Sequence, residues 1–210
     1  MTIKRLPALV LGLVIGLSAC GGGEAANPSV PSTSDVGSTR VRPADGMVMI
    51  LVPAGSFDMG SNDGLDDEQP VHTVTLDAFW IDRTEVTNGM YALCVAAGVC
   101  DPPKSSRSST RFDYYGTSQY ADHPVVWVSW SAADTYCAWV EGRLPTEAEW
   151  EYTARGDDGR TFPWGDDDPT CDLANFNPGD PCAGDTTAVG SHPAGTSPFG
   201  ALDMAGNVWE

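Results

Sequence analysis

The sequence predicts one mixed α+β domain in which loops outweigh regular structure, and three observations predict it. Residues 71–81, VHTVTLDAFWI, alternate apolar and polar side chains well enough for a strand. Three later stretches open on helix-capping residues and continue with apolar positions at helical spacing. Between them lie most of the 23 glycines and 16 prolines of the 210-residue chain, which favour turns over long elements.

The helices can be justified in order. Thr87 is placed to cap a helix running to about Ala97, with Met90, Leu93, Cys94 and Ala97 on one face and Gly98 as a stop. Ser131 and Asp134 fit a capping box ahead of a helix whose Ala133, Tyr136, Cys137 and Val140 share a face before Gly142. Thr146 and Glu149 repeat that signal, with Pro145 just ahead and Gly156 just after. Trp127, Trp130, Trp139, Trp150 and Trp164 are expected to form the core, and Arg143 with Glu149 a buried ion pair. His72, His123 and His192 are scattered and read as structural.

Ahead of this domain, at residues 47–210, the chain changes character twice. Residues 1–19 have Lys4 and Arg5, then an apolar run from Leu6 to Leu17, then small residues, which is the layout of a secretory signal. The run is shorter than the about 20 apolar residues a spanning helix needs. Leu17-Ser18-Ala19-Cys20 resembles the lipobox of bacterial lipoproteins, which makes Cys20 the expected acylated N-terminus of the mature chain. Gly21 after the cysteine favours the outer membrane if the cell is Gram-negative. The localisation expected is therefore the cell envelope, with contact to the membrane through lipidated Cys20. Residues 20–46 are rich in Gly, Ser, Pro and Ala and read as a flexible tether.

With 11 basic against 29 acidic residues the net charge is −18, and loss of Lys4 and Arg5 with the signal makes it −20. Such a chain has no basic patch for phosphates, so nucleic acid is not an expected partner. The densest acidic runs, SNDGLDDEQP (61–70) and GDDDP (165–169), read as solvated loops. With Cys20 assigned to lipid, five cysteines remain. Cys94 with Cys100 and Cys171 with Cys182 are plausible short-range disulfides, and each such staple contributes roughly 2–4 kcal/mol. A metal-binding role for Cys171 and Cys182 is the competing reading. Cys137 is left unpaired.

Six motifs then occur in order: VPAGSFDMGS (52–61), FWIDRTEVTNGMY (79–91), HPVVWVSWSAADTYCAW (123–139), GRLPTEAEWEYTARG (142–156), TFPWG (161–165) and GALDMAGNVWE (200–210). Together they closely resemble the formylglycine-generating enzyme family, the sulfatase-modifying factors. The resemblance implies a loop-rich α+β fold related to C-type lectins. It implies an oxidoreductase that converts a sulfatase cysteine to formylglycine with oxygen and a copper(I) ion held by two thiolates, soft ligands that suit that ion. In the family this thiolate pair lies downstream of the GNVWE motif, so Glu210 is expected to precede a missing C-terminal segment. The matching family partner of Cys137 lies in that same segment.

The resemblance also implies structural calcium. Carried onto this chain, the ligands are the side chains of Asp203 and Glu210 and the carbonyls of Gly206 and Val208. Carboxylates and carbonyl oxygens suit that hard cation. A second family site would use Asn175 and the Phe176 carbonyl, with Asp180 or Asp185 as a further ligand. Two functional classes follow. One is an oxidoreductase acting on a sulfatase or other exported protein. The other is a non-catalytic binding module of the cell envelope on the same scaffold.

Overall fold

The structure is a computed structural model that describes residues 20–22, 37–62, 64–176 and 182–210. The signal-like stretch 1–19, most of the tether and Asp180 lie outside the described residues. The strands are β1 (Gly21–Gly22), β2 (Thr39–Val41), β3 (Val48–Val52), β4 (Gly55–Met59), β5 (His72–Leu76) and β6 (Phe79–Asp82). The helices are α1 (Asn88–Ala96), α2 (Trp130–Trp139) and α3 (Glu147–Arg155). Among the described residues no helix is long and apolar enough to cross a membrane.

An antiparallel sheet has the order β1-β6-β3-β2, and β4 with β5 forms a separate hairpin. The single strand expected over 71–81 is therefore two strands in two sheets. Burial explains the break at Asp77–Ala78. β5 stays largely exposed, whereas β6 is buried at Phe79, Ile81 and Asp82. Strand β3 is covered on both faces, since Met49 joins one apolar core and Ile50 and Val52 another. The first core is closed by α1 and α2 through Tyr91, Cys94, Tyr136 and Cys137. The second packs Phe57 and Tyr152 from β4 and α3 against Ala201 and Met204.

The helix starts follow local chemistry. Thr87 Oγ1 accepts the Met90 N–H at 3.2 Å, and Thr146 with Glu149 forms the reciprocal capping box. The start of α2 differs from expectation. Ser129, not Ser131, is the cap, accepting the Ala132 N–H, and the helix begins at Trp130. Arg143 and Glu149 pair at 2.6 Å, although Arg143 keeps nearly half its side chain in water.

The core is built of tyrosine rather than tryptophan. Tyr91, Tyr114 and Tyr136 are fully buried, whereas Trp130 is 71 % exposed and the other four tryptophans are only partly covered. Each buried phenol reaches an acceptor: Tyr91 donates to the Asp101 carbonyl, Tyr114 to the Pro124 carbonyl and Tyr136 to Asp45. A buried hydroxyl so satisfied avoids the desolvation cost of an orphan donor.

Two expectations about the N-terminal stretch are corrected. The tether read over 20–46 ends early, because Thr39–Val41 pairs with β3 and Arg42 and Asp45 are buried. Arg42 donates to Asp45 and to Asp82, at 2.6 and 2.7 Å, an ion-paired core that composition alone cannot reveal. Cys137, expected unpaired, is bonded to Cys20. Gly21 exchanges backbone hydrogen bonds with Arg143, and the Cys20 N–H donates to Asp82 at 2.9 Å, so this stretch is docked onto the domain rather than free. This bond occupies the sulfur that lipidation of Cys20 would use, so the two are mutually exclusive. Cys94–Cys100 and Cys171–Cys182 pair as expected.

Candidate metal centre

The stretch Asp203 to Glu210 folds into a compact turn because three of its residues take left-handed backbone conformations. Asp203 has φ 57°, Gly206 φ 93° and Asn207 φ 58°. At Gly206 the requirement is strict, since a Cβ there would stand 2.5 Å from the Asn175 carbonyl oxygen. The turn is fastened by Asn207. Its N–H donates to the Asn175 carbonyl at 2.7 Å, and its side-chain oxygen accepts from Asn175 Nδ2 and the Thr187 N–H. Its amide nitrogen donates to Glu85 Oε1 at 2.9 Å.

Asp203 and Glu210 are thereby brought toward Glu85, a residue the sequence reading did not single out. Asp203 Oδ2 accepts the Gly190 N–H, and Glu210 Oε2 accepts the Trp150 indole N–H at 2.5 Å. Burial, then the charges of Asp203 and Glu210, hold the Glu85 carboxyl well above the usual carboxylate range. Burial likewise raises Asp203. Glu210 is pushed up to about 7, first by desolvation of its carboxyl and then by Asp203, although the residue as a whole keeps solvent exposure. Glu85 is 1 % exposed, and its Oε2 has no hydrogen-bond partner.

These observations fit a bound cation. Three acidic groups lie close together in a largely dry setting, and Glu85 and Asp203 are within hydrogen-bond reach, so a proton shared between them relieves part of the repulsion. Among the described residues no three Asp, Glu, His or Cys side chains converge tightly enough to cage an ion by themselves. A calcium ion here would therefore also draw on main-chain oxygens. The Gly206 carbonyl accepts the Val208 N–H at 2.7 Å and retains a second lone pair.

Among the described residues, which exclude Asp180, the second expected calcium site is not assembled. Asn175 Nδ2 serves Asn207 and the Asp185 carbonyl, and the Phe176 carbonyl accepts the Cys182 N–H. The Asp185 carboxylate is filled by donors from Ser108, Thr110 and Thr186, with Arg111 beside it, and these hold it below its ordinary value despite burial. The copper thiolate pair has no counterpart either, because all six cysteines are spent in disulfides.

Beside the turn lies a cavity of about 670 Å³ lined mainly by apolar groups, among them Trp130, Pro145, Trp150 and Trp209, with Asp203 and Glu210 at its edge.

Comparison with known proteins agrees with this architecture. The family described as "Sulfatase-modifying factor enzyme 1-like domain" matches residues 33–210. The chain is 34 % identical to the formylglycine-generating enzyme of Mycobacterium tuberculosis, an alignment covering 77 % of this chain and 72 % of that protein. It is 35 % identical to the hercynine oxygenase of Mycolicibacterium smegmatis, over 80 % of this chain and 46 % of the relative. It is 39 % identical to the serine/threonine-protein kinase Pkn1 of Chlamydia trachomatis, over 77 % of this chain but only 27 % of the kinase. The chain thus spans less than half of two of these three relatives. The solved structure of PvdO from Pseudomonas aeruginosa superposes with a TM-score of 0.63 at 30 % identity, covering 80 % of this chain and 70 % of that one. The chain belongs to the sulfatase-modifying factor family and has its α+β fold.

Proposed function

We propose that this chain is the calcium-stabilised scaffold of a formylglycine-generating-type oxidoreductase, acting on a cysteine of a sulfatase or other exported protein. The observation that supports it best is the family match over residues 33–210, together with the likeness to a formylglycine-generating enzyme over most of that enzyme's length. On this reading the turn at Asp203, Gly206, Val208 and Glu210 holds a structural calcium. The thiolate pair that would hold copper is not supplied by these six cysteines.

The test is incubation of a Cys-x-Pro-x-Arg peptide with copper and oxygen, followed by mass spectrometry. The aldehyde is expected from a form of the protein that supplies a free thiolate pair, and not from residues 1–210 alone, whose six cysteines are all paired. Conversion by residues 1–210 would require that one disulfide open to bind copper, with Cys171 and Cys182 the first pair to examine. No conversion by either would favour the second reading, a cell-envelope binding module.

The compartment we propose is the cell envelope, because three disulfides persist in oxidising surroundings. Intact-mass and thiol measurements on the mature protein test the role of Cys20. No added acyl mass and no free thiol are expected. Acyl chains on Cys20 with a free Cys137 thiol would restore the lipid anchor.

A further inference from the structure

Cys20 is completely buried, although the stretch that reads as a secretory signal ends just before it. Its position is fixed by covalent and hydrogen bonds. The sulfur is bonded to Cys137 of α2, the N–H donates to Asp82 Oδ2 at 2.9 Å, and the carbonyl accepts the Asp82 N–H at 3.1 Å. A main-chain nitrogen is thus aimed at a carboxylate in the interior. The charges around that carboxylate do not balance. Arg42 donates to both Asp82 and Asp45, and Tyr136 adds a neutral hydroxyl to Asp45. Arg143, which exchanges backbone hydrogen bonds with Gly21, has its guanidinium on Glu149. One guanidinium therefore serves two buried carboxylates, and burial still pushes Asp82 up to about 6.

A second positive charge at the Cys20 nitrogen would complete the set. A peptide nitrogen carries none, but an α-amine freed by hydrolysis between Ala19 and Cys20 does, and Ser18 and Ala19 are the small residues after which a signal is cut. We propose that the exported chain begins at Cys20 with a free α-ammonium, and that this group forms a buried ion pair with Asp82. The cut consumes one water, whose oxygen goes to the Ala19 carboxylate and whose two protons complete the Cys20 ammonium. The pair needs no movement of the chain, because the nitrogen already stands at hydrogen-bond distance. The proposal rests on the export reading above and is independent of the oxidoreductase reading.

The rival account is that Cys20 stays mid-chain, its N–H an ordinary amide beside an Asp82 that holds its own proton. Protein purified from the cell envelope separates the two by intact mass and N-terminal sequencing. A start at Cys20, with an unmodified amine and the bond to Cys137, is expected. At pH 7 an activated ester should acylate that amine at least about tenfold more slowly than the same amine in an unfolded peptide, because it is buried and Asp82 holds its proton. Peptide mapping distinguishes it from Lys104. A second form, exported with a signal whose cut leaves Ser18 and Ala19 in front of Cys20, should unfold at a lower urea concentration than the first. D82N should abolish that difference, and if D82N does not fold the acylation rate decides.

An envelope protein that starts elsewhere, carries acyl chains on Cys20, or has an amine as reactive as the peptide's overturns the proposal and leaves export standing. So do equal urea midpoints for the two forms, or a difference that persists in D82N. Protein retained in the cytoplasm with residues 1–19 attached removes the export reading, and this proposal with it.

Discussion

The cluster at Arg42 and the cluster at Glu85 both bury carboxylates, but they differ in what faces them. Asp45 and Asp82 share the Arg42 guanidinium, and Asp45 receives the Tyr136 hydroxyl and the Met47 N–H as well. Burial alone would raise Asp45, yet Arg42 and Tyr136 hold it below its ordinary value, whereas burial still pushes the deeper Asp82 up to about 6 despite the same guanidinium. Glu85, Asp203 and Glu210 have neutral donors, and all three carboxyls are held above their ordinary values. The first cluster carries its counter-charge in the sequence. The second has none, and on the calcium reading proposed above it takes one from solution. Burial of acid therefore takes two forms here, told apart by whether a guanidinium of the chain faces the carboxylates.

The sharpest way to break this contrast is to remove the internal cation. Arg42→Met leaves Asp45 and Asp82 buried and uncompensated, and should cost about 3–5 kcal/mol. Urea unfolding measures it, and a loss under about 1 kcal/mol would place both clusters in one class. Next in size is the external cation. Calcium at a hundredfold excess over its dissociation constant should stabilise the fold by about 2.7 kcal/mol. Chelation should reverse that, and the Asp203→Ala, Glu210→Ala double variant should lose the dependence. Equal calcium response in variant and wild type would reduce the turn to packing.

Tyr136→Phe should cost about 2 kcal/mol, because a buried charged acceptor loses a donor, and calcium should not restore it. Restoration by calcium would show that the two clusters communicate. The smallest effect comes from Glu149, which belongs to neither cluster. Arg143 and the Thr146 cap outweigh burial and hold its carboxyl below its ordinary value of 4.5. The stability it contributes is therefore present above pH 4.5 and is lost as pH falls through the lowered value. Glu149→Gln should cost about 1 kcal/mol at pH 7, and the difference from wild type should vanish in acid. A difference that persists at pH 2 would mean that charge is not the source.

What was legible in the sequence was mostly local. The caps at Thr87 and Thr146, the pairs Cys94–Cys100 and Cys171–Cys182 and the six ordered motifs each depend on neighbours a few residues apart. Ser129 was missed because Ser131 offers the same chemistry two positions later, and only tertiary packing decides between them. The strand at 71–81 was misread because alternation cannot report that its halves join different sheets. Arg42 looked like part of a polar tether, since its burial depends on Asp82, 40 positions away. Glu85 was invisible for the same reason. It sits in RTEVTN as an ordinary acid, and its significance comes from residues more than a hundred positions later. Its one local signal is the apolar company of Phe79, Ile81 and Val86.

Asn207 has a consequence for the order in which the chain is made. Its amide reaches Glu85 across 122 residues of sequence. At a synthesis rate of about 5–20 residues per second, that acid emerges on the order of ten seconds before its partner. By then Val86 and α1 can already pack on α2 and the segment 120–125, and only the Glu85 carboxylate still lacks its amide donor. Nascent chains arrested at residue 200 should protect α1 against protease while leaving the stretch 83–86 less protected than in chains that include Asn207.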